Sequence, residues 1–351
     1  MKKILFAFVA AAVVLTAFQK VEGLPEGARC VVPEFLHAGD TIALIAPSYF
    51  TADSNVFRAA EVLRGWGFEP LIGPNACNQL LDRYAGTVSE RVADFMWAVR
   101  EPSIKAIICI RGGYGTIQMI DSIPAAELTA NPKWLVGYSD ISTLHGMETC
   151  AGVASIHGTM ATSIGKNNGE DVSSVLLREM LTGTIPIYKL PAHPCNIAGE
   201  ASGTLVGGNI CTFAPNLGTA ADATACDGII LFIEEVGESL HNIDRQLNML
   251  LNSGIMERCK GVILGEFTES DPDLGYESAE QMLVSYFSKY GIPVCCGFPA
   301  GHDEPNLPLM MGAEVNLKVK KGGATVSFST PGHHKRHTTP LGPSTFKQPE
   351  D

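Results

Sequence analysis

The chain has 351 residues, more than a single domain usually holds, so two domains are expected. Hydrophobic residues make up 46% and charged residues 18%, which excludes an intrinsically disordered chain. A formal net charge of −12, with no basic stripe, excludes nucleic acid as the main partner, because phosphate binding needs clustered Lys and Arg.

The first segment, "MKKILFAFVAAAVVLTAF", sets two lysines before an apolar core from Ile4 to Phe18. It is short for a membrane span, which needs about 20 apolar residues, and fits a secretory signal peptide over 1–23. The expectation is an exported, periplasmic protein, with an uncleaved membrane anchor as the alternative. The 10 cysteines would then meet an oxidising compartment, and their pairing stays open. No C-x-x-C occurs, so neither a zinc ribbon nor a thioredoxin-type motif is supported.

The stretch "GDTIALIAPS" (39–48) predicts a strand, and "NVFRAAEVLRGWGF" an amphipathic helix closed by glycine. A second helix is expected in "SERVADFMWAVREP" (89–102), then a strand in "IKAIICI" (104–110) running into "RGGYGT", and another strand in "WLVGY". Apolar strands alternating with helices point to an α/β fold with a parallel sheet covered on both faces. Near residue 165 the helical period stops, so an N-terminal domain is placed at 24–165 and a linker at 166–200. A C-terminal domain follows at 201–332, with strands in "GTLVGGNI", "GIILFIEE" and "KGVILGEF" and a helix in "HNIDRQLNMLLNSG". Its last piece, "AEVNLKVKKGGATVSFS", reads as a hairpin turning at Gly322-Gly323. The polar tail 333–351 carries no apolar period.

Open α/β sheets place their sites at the carboxyl ends of parallel strands. Ser139 follows "WLVGY", Glu234 and Glu235 end "GIILFI", and His302 lies in "GFPAGHDEP". A serine hydroxyl becomes a nucleophile when a histidine takes its proton and a carboxylate holds that histidine. The same residues admit plainer roles: Ser139 as a helix cap, Glu234 at a solvated strand end, His302 on a surface loop. The nucleophile-elbow pattern G-x-S-x-G also fails, since Ile141 stands where the second glycine belongs. The glycine-rich "RGGYGT" lacks nucleotide-binding spacing, but lets backbone amides approach a ligand as an oxyanion hole requires. "HHKRH" (333–337) could hold a metal only in a polar tail, and H-E-x-x-H is absent, so no metal or cofactor is expected. Two α/β domains with a cleft also fit a non-catalytic periplasmic solute-binding protein, which would leave the Ser, Glu, His order without a role.

From "GDTIALIAPS" through "RGGYG", "NPKWLVGYSDISTLH", "HGTMAT", "GTLVGGN", "IILFIEE" and "NIDRQLNMLLNSG" to "KGVILGEF" and "GFPAGHDEPNLPLMMG", the chain resembles the LD-carboxypeptidases. These serine peptidases include muramoyltetrapeptide carboxypeptidases and microcin C self-immunity peptidases. The resemblance implies a flavodoxin-like N-terminal domain, a smaller swivelling β/α C-terminal domain and a homodimer. It implies Ser139 as nucleophile, Glu234 rather than Glu235 as the carboxylate and His302 as the base. Backbone amides of Asp140 and Gly113 would form the oxyanion hole. The implied reaction is hydrolysis of the amide between an L-centre, diaminopimelate or Lys, and the terminal D-Ala of a murein tetrapeptide. A microcin-type peptidyl-nucleotide substrate is the alternative. Arg111 and Arg245 are cationic candidates for the substrate α-carboxylate, with neither assigned. Known murein-recycling members are cytoplasmic, so the apparent leader departs from that pattern.

Overall fold

A computed structural model describes residues 30–329. The predicted leader at 1–23, the tail at 333–351 and its "HHKRH" lie outside the described residues.

The first half alternates strand and helix: β1 (Thr41–Ile45), α1 (Asp53–Gly65), β2 (Glu69–Ile72), α2 (Val88–Arg100), β3 (Ile104–Cys109), α3 (Ala125–Ala130), β4 (Trp134–Gly137), α4 (Ser142–Cys150), β5 (Ser155–His157), α5 (Ala161–Lys166) and α6 (Val172–Leu181). In α1 the buried residues Val56, Ala59, Ala60 and Leu63 recur at helical spacing, which gives the helix one core-facing stripe. The α2 helix starts at a capping box: Thr87 accepts from the Glu90 amide and the Glu90 carboxylate accepts from the Thr87 amide. The strands β3 and β4 are buried nearly throughout, as strands covered on both faces must be.

The second half adds β6 (Tyr188–Leu190), β7 (Gly199–Asn209), α7 (Ile210–Phe213), β8 (Ile229–Val236), α8 (Leu240–Asn252), β9 (Cys259–Thr268), α9 (Ala279–Phe287), β10 (Val294–Cys295), β11 (Leu309–Met311), β12 (Glu314–Lys320) and β13 (Gly323–Phe328). The first sheet has six strands in the order β11-β5-β4-β3-β1-β2. Its five sequential strands are parallel in the flavodoxin-like order 2-1-3-4-5, and β11 closes the β5 edge antiparallel. The second sheet has seven strands in the order β10-β9-β8-β7-β12-β13-β6, with β10 to β7 parallel and the remainder antiparallel. The whole is a mixed α/β fold rich in parallel pairing.

Three details differ from the sequence-based expectation. The stretch 166–200 is more than a linker: α6 buries Leu177, Met180 and Leu181 in the first sheet's core, and β6 pairs with β13. Only Arg178 and Glu179 of the helix's ten residues are charged, Ser173 and Ser174 being buried, and the Gly- and Pro-rich stretch behind it hides its period. Second, β11 lies late in the chain yet belongs to the first sheet, a long-range pairing that no local pattern announces. Third, Lys320 pairs with Gly323, so the hairpin turns at Lys321-Gly322, one residue earlier than expected.

The α4 helix is buried from Ser142 through Thr149, on every face. It lies between the two sheets: its first residue, Ser142, accepts a hydrogen bond from the Asn209 amide at the end of β7 (3.1 Å). A Cβ on Gly146 would come within 2.3 Å of the Ala221 carbonyl oxygen, so small residues set how closely the second half approaches.

Close approach is tightest at Gly207 in β7, where φ is +128° and a Cβ would fall 1.8 Å from the Phe232 carbonyl oxygen. Gly207→Ala would add backbone strain of roughly 1–3 kcal/mol and an overpacking penalty of similar size. We expect the urea midpoint to fall accordingly, by about 2–6 kcal/mol in unfolding free energy, as read by circular dichroism.

Candidate active site

Ser139 sits on the turn between β4 and α4 with φ +64°, a left-handed conformation that costs a serine about 1–3 kcal/mol. It caps neither the short turn Ser139–Ile141 nor α4, because no side-chain cap exists at either start. Its hydroxyl has no hydrogen-bond partner among the described residues. The plainer reading of this serine as a cap therefore does not hold. A strained strand-to-helix turn that leaves an unengaged hydroxyl is an elbow in geometry, although Ile141 replaces the usual glycine. Ile141 is accommodated because the preceding glycine, Gly137, has no side chain: a Cβ there would lie 2.8 Å from Ile141 Cγ1.

The next residue anchors the turn. Asp140 is buried, and its Oδ2 accepts from Ser48 Oγ (2.5 Å) and from the Thr116 amide (3.0 Å). The Thr116 hydroxyl donates in return to the Asp140 carbonyl (2.6 Å). Burial pushes the Asp140 carboxyl above its ordinary range, and these donors work against that. Beside it the buried Arg91 guanidinium donates to the carbonyls of Pro47 (2.8 Å) and Gly115 (2.9 Å) and to Gln118 (2.7 Å). Below the turn His145 donates through Nε2 to the Gly137 carbonyl (2.9 Å) and accepts from Ser155 at Nδ1 (2.8 Å). Burial lowers His145 to about 4, so it is a neutral strut.

The glycine-rich turn lies against the serine. A Cβ on Gly112 would stand 3.0 Å from Ser139 Cβ and 3.2 Å from its hydroxyl. Gly113 has φ +128°, and a Cβ there would strike the Tyr49 ring at 2.4 Å. The Gly113 amide has no hydrogen-bond partner among the described residues.

The second half supplies the other candidates. Glu234, at the end of β8, is fully buried, and its Oε2 accepts from His302 Nδ1 at 2.8 Å. Glu235 points the other way, as strand alternation requires, and accepts from Asn209 Nδ2 (2.7 Å) and the Cys211 amide (3.0 Å). Glu235 is thus a structural tie between β8 and the β7–α7 turn. Burial opposes charge on His302, but the hydrogen bond and charge of Glu234, with Glu235 and Glu266 nearby, leave it above its ordinary value. The His302 ring packs edge-on against Tyr138, with centroids 5.0 Å apart, and Tyr138 is the residue before Ser139. The structure thus joins Glu234 to His302 directly, and sets His302 against the residue that precedes Ser139.

The two cationic candidates differ. Arg111 donates to the Phe50 carbonyl (3.3 Å) and lies over the Tyr49 ring, beside the glycine-rich turn. Arg245 donates to Asn242 on its own helix (2.6 Å). Sequence reasoning missed Arg91, Ser142 and Glu266. Arg91 and Ser142 were hidden inside ordinary helix patterns. Glu266 had a visible signal, a carboxylate at the end of the strand "KGVILGEF", parallel to the one that ends in Glu234. Chemically, a carboxylate-bound imidazole and an unengaged hydroxyl on a strained turn are the parts of acyl transfer.

Comparison with known proteins places this geometry in a family. Residues 42–158 match the LD-carboxypeptidase N-terminal domain, and residues 202–317 match the LD-carboxypeptidase C-terminal domain. The murein tetrapeptide carboxypeptidase of Pseudomonas aeruginosa is 31% identical over 278 residues, covering 76% of this chain and 89% of that protein. The microcin C7 self-immunity protein MccF of Escherichia coli is 27% identical over 315 residues, covering 80% and 91%. The crystal structure of muramoyltetrapeptide carboxypeptidase from Oxalobacter formigenes superposes with a TM-score of 0.75 at 30% identity, covering 83% of this chain and 99% of that one. The two domain matches, the two-sheet fold and the overall similarity lead to one conclusion: this chain is a peptidase of the LD-carboxypeptidase family.

Proposed function

We propose that the protein is a serine LD-carboxypeptidase that hydrolyses the amide between an L-centre, diaminopimelate or Lys, and the terminal D-Ala of a murein tetrapeptide. The observation that carries this reading is the 2.8 Å contact between His302 Nδ1 and the fully buried Glu234. It fixes the tautomer with the proton on Nδ1 and leaves Nε2 able to accept one. Ser139 Oγ attacks the scissile carbonyl carbon while His302 Nε2 takes its proton. Glu234 stabilises the imidazolium that results. The amides of Asp140 and Gly113 donate to the tetrahedral oxyanion, where one lost donor costs about 2.7–4 kcal/mol. His302 then protonates the departing D-Ala nitrogen, and water, deprotonated by the same histidine, hydrolyses the acyl-enzyme ester.

The apolar segment from Ile4 to Phe18 supports a reaction outside the cytoplasm, where murein is reached directly, and the family resemblance implies a homodimer. The likeness to MccF favours a second reading, with the same residues cleaving a peptidyl- or aminoacyl-nucleotide amide. Measuring turnover of a tetrapeptide against an aminoacyl sulfamoyl adenylate separates the two.

Ser139→Ala should lower D-Ala release from tetrapeptide by about 10⁴–10⁶-fold and leave the circular-dichroism spectrum unchanged. Full activity in that variant overturns the mechanism. Because a base must be neutral and His302 is held above its ordinary value, kcat/KM should rise with pH along an acidic limb centred above about 6.5. A limb centred well below that value would remove His302 from the role of base.

A further inference from the structure

Glu266 stands where β9 leaves regular pairing with β8. Ile233 pairs with Leu264, but Glu235 pairs with Phe267, so one extra residue of β9 is taken up opposite Glu234. This is a β-bulge, and it breaks the strict alternation that would otherwise decide which way Glu266 points. Gly265 makes the bulge fit: a Cβ there would lie 2.4 Å from the Ala300 carbonyl oxygen and 3.0 Å from Glu234 Cβ.

From within the bulge Glu266 grips the turn that carries His302 at two points. Its amide donates to the Ala300 carbonyl (3.0 Å), and its Oε2 accepts from the Asp303 amide (3.1 Å). Gly301 and His302 lie between those two bonds. A Cβ on Gly301 would stand 3.2 Å from Glu234 Oε2 and 3.4 Å from Glu266 Oε2, so the backbone of this turn passes between two carboxyl groups. Burial, with Asp303 and Glu234 adding their charge, pushes the Glu266 carboxyl up to about 7. A neutral amide would accept one backbone hydrogen bond without that desolvation, so the choice of an acid here needs a further reason.

We propose that Glu266 is a positioning residue of this site: its carboxyl group holds the Gly301–Glu304 turn through the Asp303 amide and sets a second ionisable acid beside the Glu234–His302 pair. The inference rests on His302 acting as the base. Once ionised, above about pH 7, the second carboxylate favours the imidazolium that forms as the imidazole takes the serine proton. Several other groups share this space. Glu234 and Glu235 come from β8, Asp303 and Glu304 from the turn itself, His157 from β5 and Tyr138 from the end of β4. Glu235 is engaged by Asn209 and Cys211, the Glu304 carboxylate accepts from Asn167, and burial keeps His157 neutral. Glu234 holds the imidazole directly. Glu266 is the acid that also bonds the backbone next to it.

Two substitutions separate the two parts of this role. Glu266→Gln keeps an acceptor for the Asp303 amide and removes the charge, and Glu266→Ala removes both. In both variants the acidic limb of kcat/KM should move to lower pH, by about 0.5–1 unit. Glu266→Ala should in addition lose about 10- to 100-fold in kcat with KM little changed, and Glu266→Asp should recover part of that loss. Thermal midpoints of all variants, measured alongside, show that each is folded, and Ser139→Ala serves as the inactive control. If Ser139→Ala is inactive while Glu266→Gln keeps both the wild-type limb and the wild-type kcat, the proposal falls and the reading of the triad stands. If Ser139→Ala retains turnover, both fall.

Discussion

The hydrogen bonds that converge on the buried Asp140 carboxylate hold together three strand ends. Ser48 follows β1, Thr116 follows β3, and Asp140 itself follows β4. A carboxylate taken out of water is costly unless its oxygens are satisfied, so these loops are constrained to meet where it can be bonded. The left-handed backbone at Ser139 is tolerable only inside that constraint. Arg91 reinforces it from the far side by binding the carbonyls of Pro47 and Gly115, which flank the same loops. The glycine-rich turn is thereby pinned at both ends while its Gly113 amide stays unengaged.

The second dependency is the seam between the sheets. Ser142 opens the helix that follows the turn, and its hydroxyl binds the backbone of Asn209 at the end of β7. Gly208 makes the contact possible, because a Cβ there would lie 2.2 Å from that same hydroxyl. The carboxyl ends of two sets of parallel strands are thus joined across one helix terminus. One set carries Ser139 and the glycine-rich turn. The other carries Glu234 and Glu266, with the His302 turn closing over them. Tyr138 against His302 is the point where the two sets touch beside the serine. Ser139 and the glycine-rich turn thus belong to one half, and Glu234, Glu266 and His302 to the other.

The energetics of the pair at the centre follow from burial. Glu234 has no exposure, and its hydrogen bond to His302 is short and inside apolar packing with Tyr138 and, through His157, with Phe232. In such surroundings an imidazolium is costly alone and favoured beside a carboxylate, and the balance here leaves His302 above its ordinary value. His145 and His157 lack that partner, and burial drives both down. Three histidines close together therefore differ in how readily they take a proton, and their neighbours set the difference.

The amino-acid sequence by itself determined the alternating α/β elements, the parallel first sheet and the residues Ser139, Glu234 and His302 as candidates at strand ends. It could do so because apolar runs and helical periods are local, and because strand ends are where such folds leave polar groups unpaired. The family resemblance singles out Glu234 over Glu235; only the tertiary structure decided that Ser139 is strained and uncapped, how Glu234 meets His302, and that β11 completes the first sheet. Two adjacent glutamates look alike in sequence, and strand direction alone sorts them onto opposite faces. Glu266 is the clearest case. A single extra residue in β9 sets where its side chain goes, and a bulge is a property of the pairing between strands that neither strand carries alone.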